Sequence, residues 1–274
     1  MAPSLHHHNE RRVEMRILLN KSSCRCVALV VAIVLFAVPG AQAQGTDIAG
    51  RIFIHVNGTN QDGTGEFRES LRFTTYSEQA TFDSVHNIVG GGSIDVGGYI
   101  GVWRGLAIGA TYTQLTTDDS TLVTGSVPHP LLFNAFRQTA PESLVLRHEK
   151  RVTHVQAGWI VPIADRIEMW LVGGLSFFHV TQGVIVDVDL SETGPPFTLV
   201  DVGAIRTQEH TATAVGVNAG IDVAYLITDQ IGVGGFLRYA DGSADLPTPG
   251  GDVSISLGGL QVGAGVRVRF RLRR

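Results

Sequence analysis

The stretch GGLQVGAGVRVRF at residues 258–270 alternates between two kinds of side chain. Its even-numbered positions from Leu260 to Phe270 are all apolar, whereas its odd-numbered positions are glycine, glutamine or arginine. Because successive side chains of a β-strand point to opposite faces, the stretch predicts a strand with one apolar face and one small or polar face. The mixture of glycine with long arginine side chains suits the lumen of a barrel whose apolar face meets lipid.

The same alternation recurs upstream of this strand. It is regular in five segments, at residues 94–102, 106–113, 154–159, 215–225 and 231–239, and less regular at 167–188. Short connections alternate with long proline-rich ones, as expected for periplasmic turns and external loops. The short ones are 103–105, 162–166 and 227–230, and the long ones are 116–148, 191–208 and 241–252.

Counting back from the last strand gives an all-β fold, an antiparallel transmembrane β-barrel of eight strands. The predicted strands lie near residues 71–82, 92–103, 105–117, 149–162, 166–188, 210–227, 230–241 and 254–270. A ninth strand-like stretch at 51–58 is either a periplasmic or luminal extension or one strand of a ten-stranded barrel with a partner inside 120–132. Bacterial barrels have even strand numbers, and eight is the favoured count. We therefore assign residues 44–69 to an N-terminal segment with a possible extra strand, and 70–274 to the barrel.

The N-terminal region predicts a secretory signal peptide. The apolar run VALVVAIVLFAV at residues 27–38 is too short for a comfortable membrane-spanning helix. It follows basic residues including Lys21 and Arg25, and it precedes an A-x-A cleavage site formed by Ala41 and Ala43. We expect export through the Sec pathway, cleavage after Ala43 and removal of residues 1–43.

Removing this leader changes the chemistry available to the chain. Both cysteines, Cys24 and Cys26, leave with it, which excludes a disulfide framework, a thiol nucleophile and a cysteine-based zinc site. Five basic and two acidic residues also leave, so the whole-chain net charge of −4 becomes about −7. An acidic protein of this kind is a poor nucleic-acid ligand. No phosphate-binding or dinucleotide motif occurs, and no cofactor is predicted.

Eight charged side chains are predicted to face the lumen and to form a charge network. They are Glu78, Asp95, Glu168, Asp222, Arg72, Arg238, Arg267 and Arg269. One interpretation is a gated or selective pore. The other is a plug of ion pairs, which is favoured because eight strands enclose a lumen barely wide enough for side chains.

Histidines near the predicted external rim suggest a second class of function. His148 with Glu149, or His129 near Ser126, could form part of a catalytic pair, and His148, Glu149 and His154 could form a metal site. No nucleophile motif of the G-x-S-x-G type occurs. We therefore predict no catalytic residue, no metal site and no enzyme activity. The apolar loop VPHPLLFN at residues 127–134 could instead dock a partner or a lipid.

Three motifs carry a resemblance to a known class of proteins: the final strand at 258–270, GVGGFLRY at 232–239 and WIVPIADRI at 159–167. Over about residues 70–274 the chain resembles the small outer-membrane β-barrels of the OmpA/OmpX/OmpW superfamily. The resemblance implies contact with outer-membrane lipids and lipopolysaccharide, and insertion by the barrel-assembly machinery. It also implies that Phe270 is the aromatic assembly signal of the last strand, although four further residues follow it here.

The resulting hypothesis is an integral protein of the bacterial outer membrane without catalytic activity. Its role would be structural or surface-exposed, with at most narrow solute passage. The alternatives are a channel for small or apolar solutes and an outer-membrane lipid-modifying enzyme that uses a rim histidine.

Overall fold

The computed structural model describes residues 47–63 and 65–271, which form thirteen β-strands. The predicted signal peptide lies outside these residues. In chain order the strands are β1 Arg51–Gln61, β2 Gly65–Thr75, β3 Glu78–Ile88, β4 Gly91–Trp103, β5 Leu106–Pro128, β6 Phe136–Gln138, β7 Glu142–Ala164, β8 Ile167–Glu192, β9 Val200–Leu226, β10 Ile231–Asp241, β11 Ser243–Leu246, β12 Val253–Ser256 and β13 Gly259–Arg271. Within the described residues, no helix is long and apolar enough to cross a membrane.

Eight of these strands form a closed antiparallel ring. The order around the ring is β1, β4, β5, β7, β8, β9, β10 and β13, and β13 pairs with β1 to close it. The closing ladder runs from Arg51 opposite Arg271 to Gln61 opposite Gln261. The predicted all-β fold and the count of eight strands are therefore confirmed.

The identity of the first barrel strand was predicted wrongly. Residues 71–82 are not a ring strand, because they contain the turn at Tyr76 and Ser77, both with positive φ, that joins β2 to β3. The eighth ring strand is β1, which contains the stretch 51–58 that the sequence analysis left open between an extension and a strand of a ten-stranded barrel. The β2–β3 hairpin also has a buried apolar face, so its side chains alternate just as those of a barrel strand do. The suggested extra strand within 120–132 lies largely in the C-terminal part of β5.

Two predicted external loops are largely strand. The ring contains four short strands of 11 to 13 residues and four long ones, β5, β7, β8 and β9, of 23 to 27 residues. The long strands occupy much of residues 116–148 and 191–208 and extend beyond the short ones at one end of the ring. We call this end the extended end. The opposite end carries the first residue of β1, the last residue of β13 and the three short turns.

An apolar belt encircles the ring on its outer surface. On β9 it runs along alternate positions from Val215 to Tyr225, all apolar. Exposed members on the other ring strands include Ile54, Val56, Ile94, Ile100, Ile108, Tyr112, Val155, Leu175, Phe177, Val233, Leu237, Val262 and Val266. A tilted transmembrane strand needs about 9–11 residues, and the belt on β9 has that length.

Packed cores close the barrel at both ends. At the extended end β3 pairs with β5, so the β2–β3 hairpin continues the sheet of the long strands, and apolar side chains of this hairpin, of β11–β12 and of the long strands pack together. One cluster includes Phe67, Val152, Phe178, Val180, Leu246, Ile255 and Leu257, and a second includes Leu71, Phe82, Val123, Ile185, Val188 and Val200.

At the other end, Ile48 is fully buried against Tyr99, Ile160 and Trp170. The Ile48 N–H donates to Arg104 O at 3.0 Å, which holds the segment before β1 in place. Gly101 permits this arrangement, because a Cβ there would lie 2.0 Å from Ile48 O.

Charge in the middle of the belt should prevent membrane assembly. Val266 lies outward on β13 between Val56 and Val233, so Val266→Arg should destabilise the inserted barrel by about 2–4 kcal/mol. Thr211→Arg, on the outer face of β9 beyond the belt, is the matched control and should insert normally. The measurement is the heat-modifiable shift in electrophoretic mobility after refolding into liposomes; equal yields of the two folded variants would contradict the belt assignment.

Candidate luminal site

The lumen is organised around Asp95, which projects inward from β4 and is 1% exposed. Asn57 donates to its Oδ1 at 3.0 Å and Thr113 donates to its Oδ2 at 2.8 Å. Arg238 forms a hydrogen-bonded ion pair with Oδ2, and His55 Nε2 lies 3.3 Å from Oδ1. Partners from β1, β5 and β10 therefore meet one carboxylate of β4.

Arg238, on the opposite side of the ring, is equally well satisfied. Its Nη1 donates to Thr111 Oγ1 at 2.7 Å, and its Nε and Nη2 donate to Gln261 Oε1 at 3.1 and 2.7 Å. Its guanidinium carbon lies 4.8 Å from the centre of the Phe236 ring. A buried ion pair is tolerated only where hydrogen bonds satisfy both partners, and this pair meets that condition.

Two further ion pairs lie closer to the end of the barrel that carries the short turns. Arg267 binds Asp222 through two nitrogens, with Nε–Oδ1 at 3.2 Å and Nη2–Oδ2 at 2.7 Å. It also donates to Asn57, so the Asp222 pair is connected to Asp95 through that amide. Arg269 pairs with Glu168 and donates from Nε to Asp229 O at 2.7 Å.

Six of the eight residues predicted for the luminal network are thus brought together in three ion pairs. The other two, Arg72 and Glu78, were predicted wrongly. They lie on β2 and β3, in the hairpin that covers the extended end, so their side chains do not enter the lumen. Glu78 instead accepts a hydrogen bond from Asn134 N at 2.9 Å.

Sequence reasoning missed a set of uncharged partners in the same lumen. Tyr99 Oη donates to Gln156 Oε1 at 2.6 Å, Gln156 binds Asn218, and Asn218 donates to Ser176 Oγ at 2.9 Å. His55 and Asn57 were missed because β1 was not placed in the ring. The odd-numbered positions of β1 would have revealed them, since 55, 57, 59 and 61 are all polar and all buried.

The space left inside the barrel is small. The cavity beside the three ion pairs measures about 50 Å³ and is bordered by Phe53, Trp170 and Phe236 as well as by the charged residues. That volume holds a few water molecules at most. Packed apolar side chains lie beyond it towards the extended end, and Ile48 and Trp170 lie towards the other.

The histidine pairs suggested for catalysis do not form. On β7, His148 and His154 face the interior of the barrel, whereas Glu149 lies on the outer face. The strand backbone therefore separates Glu149 from both histidines. His129 Nδ1 accepts from Leu131 N rather than contacting Ser126. His154 is hydrogen bonded to Ser176, but both are buried among side chains. The described residues contain no group of three or more His, Asp, Glu or Cys side chains placed to hold a metal ion.

A second polar cluster is buried beneath the β2–β3 hairpin, beyond the belt. His86 donates to Glu69 Oε1 at 2.9 Å and accepts from Thr121 at 3.0 Å, and Glu69 also accepts from Ile185 N at 3.0 Å. Glu69 therefore ties the hairpin to β8. His86 stacks on Phe67 with ring centres 4.2 Å apart.

Asp119 on β5 and His148 on β7 complete this cluster. The Asp119 Oδ1 accepts from Val89 N at 3.3 Å, and its Oδ2 lies 3.7 Å from His148 Nδ1. Burial raises the pKa of Asp119 to about 6, and burial lowers the pKa of both His148 and Lys150, that of Lys150 to about 8. Burial therefore disfavours the charged form of each of these three groups.

The sequence matches no protein-family model and no curated protein. Solved structures resemble it in three dimensions. The outer membrane protein OprG of Pseudomonas aeruginosa is 7% identical with a TM-score of 0.45, and the match covers 82% of this chain and 97% of OprG. The outer membrane protease OmpT of Escherichia coli is 10% identical with a TM-score of 0.42, covering 84% of this chain and 99% of OmpT. The attachment invasion locus protein Ail of Yersinia pestis is 11% identical with a TM-score of 0.34, covering 80% and 99%. With so little shared sequence, the activity of this chain has to be argued from its own residues.

Removing one partner of the central ion pair should cost far more than removing both. Asp95→Asn leaves Arg238 with an uncompensated buried charge, so the free energy of unfolding should fall by about 3–5 kcal/mol. Asp95→Asn combined with Arg238→Met should cost less than the sum of the single changes. The exposed pair Arg206–Asp187 is the control, where the same substitutions should change stability by about 1 kcal/mol or less. The measurement is a double-mutant cycle by urea unfolding from lipid vesicles; additive losses at Asp95 and Arg238 would contradict the pairing.

The Asp119 cluster predicts a pH dependence of the extended end. The folded state binds the Asp119 proton more tightly than the unfolded chain, whose aspartate titrates near 3.8, so stability falls as pH rises from about 4 to about 6. Asp119→Asn should therefore stabilise this end by up to about 2–3 kcal/mol above pH 6 and have little effect below pH 4. Hydrogen exchange of the β3 and β5 amides measures this. Asp118→Asn, next along the chain but exposed on the outer face, removes only the weakest of the influences on the pKa of Asp119 and should change the profile far less.

Proposed function

We propose that the protein is a non-catalytic integral barrel of the bacterial outer membrane, closed to solutes, which carries an extended platform of strands beyond the lipid. The observation that supports this most directly is the distribution of exposed side chains. Alternate residues around the ring form a continuous apolar outer belt, while the inward residues of the same strands are charged or polar and hydrogen bonded. Such a surface is stable only in contact with hydrocarbon.

The closed lumen argues against a channel. A conducting eight-stranded barrel would need a continuous water-filled path, yet three ion pairs and two apolar clusters occupy the axis. The remaining cavity of about 50 Å³ is too small for a solute larger than a few waters. These contacts support the ion-pair plug over the selective pore.

The extended end is the part of the protein that would meet the outside of the cell. Outer-membrane barrels have short periplasmic turns and long external elements, so the extensions of the four long strands would lie on the extracellular side of the membrane. Between β5 and β6 a loop carries Leu131, Leu132 and Phe133, which are 70%, 58% and 76% exposed. A surface-exposed role is the consequence we propose. The signal peptide predicted for residues 1–43, with cleavage after Ala43, would supply the route of export.

Reconstituted protein should be silent in planar bilayers. We expect a heat-modifiable band, recovery in the outer-membrane fraction and no ion conductance above background. The double variant Asp95→Ala with Arg238→Ala, which shortens the two side chains that cross the centre of the lumen, is the internal comparison and should show a small leak if the plug is what prevents conduction. A soluble periplasmic protein without a heat-modifiable form, or steady conductance of the unmodified barrel, would refute the proposal.

A further inference from the structure

A groove on the outer surface crosses the upper edge of the belt. It has a volume of about 840 Å³ and spans β5, β7, β8 and β9. Tyr112 and Phe177 are its aromatic walls, and the smaller Thr153 lies between them as their register partner on β7. The belt continues directly below this point through Val155, which is half exposed. The lower part of the groove is therefore continuous with the surface that faces lipid chains.

An arginine and a histidine lie immediately above the aromatic walls. Arg151 on β7 and His179 on β8 are register partners, and both project outward into the groove. Arg147 follows two rows higher on the same face of β7. Two carboxylates lie on this face: Glu149 Oε1 accepts from Arg151 Nε at 2.7 Å and its Oε2 lies 3.6 Å from Arg147, and Asp118 on β5 is the register partner of Arg147. Glu149 contacts both arginines, and within residues 47–63 and 65–271 no group binds Arg151 Nη1, which can therefore donate to another ligand.

The cationic patch is confined to one side of the barrel. On the short strands β1, β4 and β10 the outward residues that follow the belt at the extended end are Asn60, Gly92 and Asp241. Among the described outward positions of the ring strands at this level, arginine thus occurs on β7 only. The rest of the circumference is neutral or acidic, in keeping with the acidic chain as a whole. An even attraction to anionic headgroups all around the barrel would not produce this pattern.

We propose that this groove is a binding site for an anionic lipid that ends in a phosphate monoester, drawn from the leaflet at the extended end. The proposal rests on the membrane location argued above. Arg151, with His179 beside it, binds the phosphate, because a guanidinium keeps its charge and presents paired N–H donors to phosphate oxygens. One acyl chain descends between Tyr112 and Phe177 over Thr153 and joins the surrounding hydrocarbon. Charge above and an apolar channel below match the two ends of such a molecule.

The test uses the full barrel in phosphatidylcholine nanodiscs that contain a minor fraction of phosphatidic acid. Lipids retained after mild detergent release are counted by native mass spectrometry. The expected result is one retained phosphatidic acid per barrel. Diacylglycerol, which has the same chains and no phosphate, should not be retained, and millimolar inorganic phosphate should not displace the bound lipid.

Two variants separate the two halves of the site. Arg151→Gln removes the charge and should weaken retention about tenfold, as expected for the loss of a charge-assisted hydrogen bond. Thr153→Trp fills the groove, leaves Arg151 and His179 unchanged and should abolish retention. Arg206→Gln removes an exposed arginine of β9 that pairs with Asp187 and does not line the groove, so this variant should retain lipid as the unmodified protein does.

Three results would overturn the site: equal retention by Arg151→Gln and Arg206→Gln, equal retention of diacylglycerol, or displacement by inorganic phosphate alone. All variants are first checked for the heat-modifiable folded form. Failure of the unmodified chain to insert would refute the membrane barrel itself. Insertion without selective lipid retention would refute only the groove.

Discussion

The structure depends on the ion pair between Asp95 and Arg238, because the polar faces of five strands converge on it. The outer belt requires apolar residues at every second position, so each charged side chain of these strands at the level of the belt must point into the lumen. There the two charges are removed from water and are stable only together and only when fully hydrogen bonded. Asn57, Thr111, Thr113 and Gln261 provide those bonds from β1, β5 and β13. The same contacts that neutralise the charge also close the axis of the barrel.

The strand periodicity was sufficient to predict the wall of the barrel and most of its luminal charges. Asp95, Asp222, Arg238 and Arg267 each lie in a strand whose other face is plainly apolar, so their inward direction could be inferred. Glu78 and Arg72 show the limit of this reasoning. The β2–β3 hairpin also alternates, since one face packs on the long strands, and period two does not distinguish a strand that faces lipid from one that covers an apolar core.

The extensions of the long strands could not be predicted for a different reason. Along β5 beyond Gln114, the outward positions are Thr116, Asp118 and Ser120, and the inward ones are Thr117, Asp119 and Thr121. Both faces are polar because one is beyond the belt and the other lines the Asp119–His148 cluster. Without contrast between faces the segment resembles a loop, and only its pairing with β7 and β3 makes it a strand. For the same reason, the sequence pattern did not predict that the acids and histidines of this cluster are buried.

The closing ladder between β1 and β13 constrains how the chain acquires its fold. Arg51 must find Arg271, so the contact that completes the ring joins the first strand to the last. Until β13 is available, β1 and β10 each present an unpaired edge. The apolar belt is then interrupted between these two strands. Topologies dominated by such distant pairings fold slowly, because the conformational entropy of the intervening loop is lost before the contacts between the partners can stabilise the structure. The hairpin meanders from β4 to β10 can form as neighbours, whereas closure waits for the final segment. The residues of β13 therefore determine when the barrel becomes a single cooperative unit.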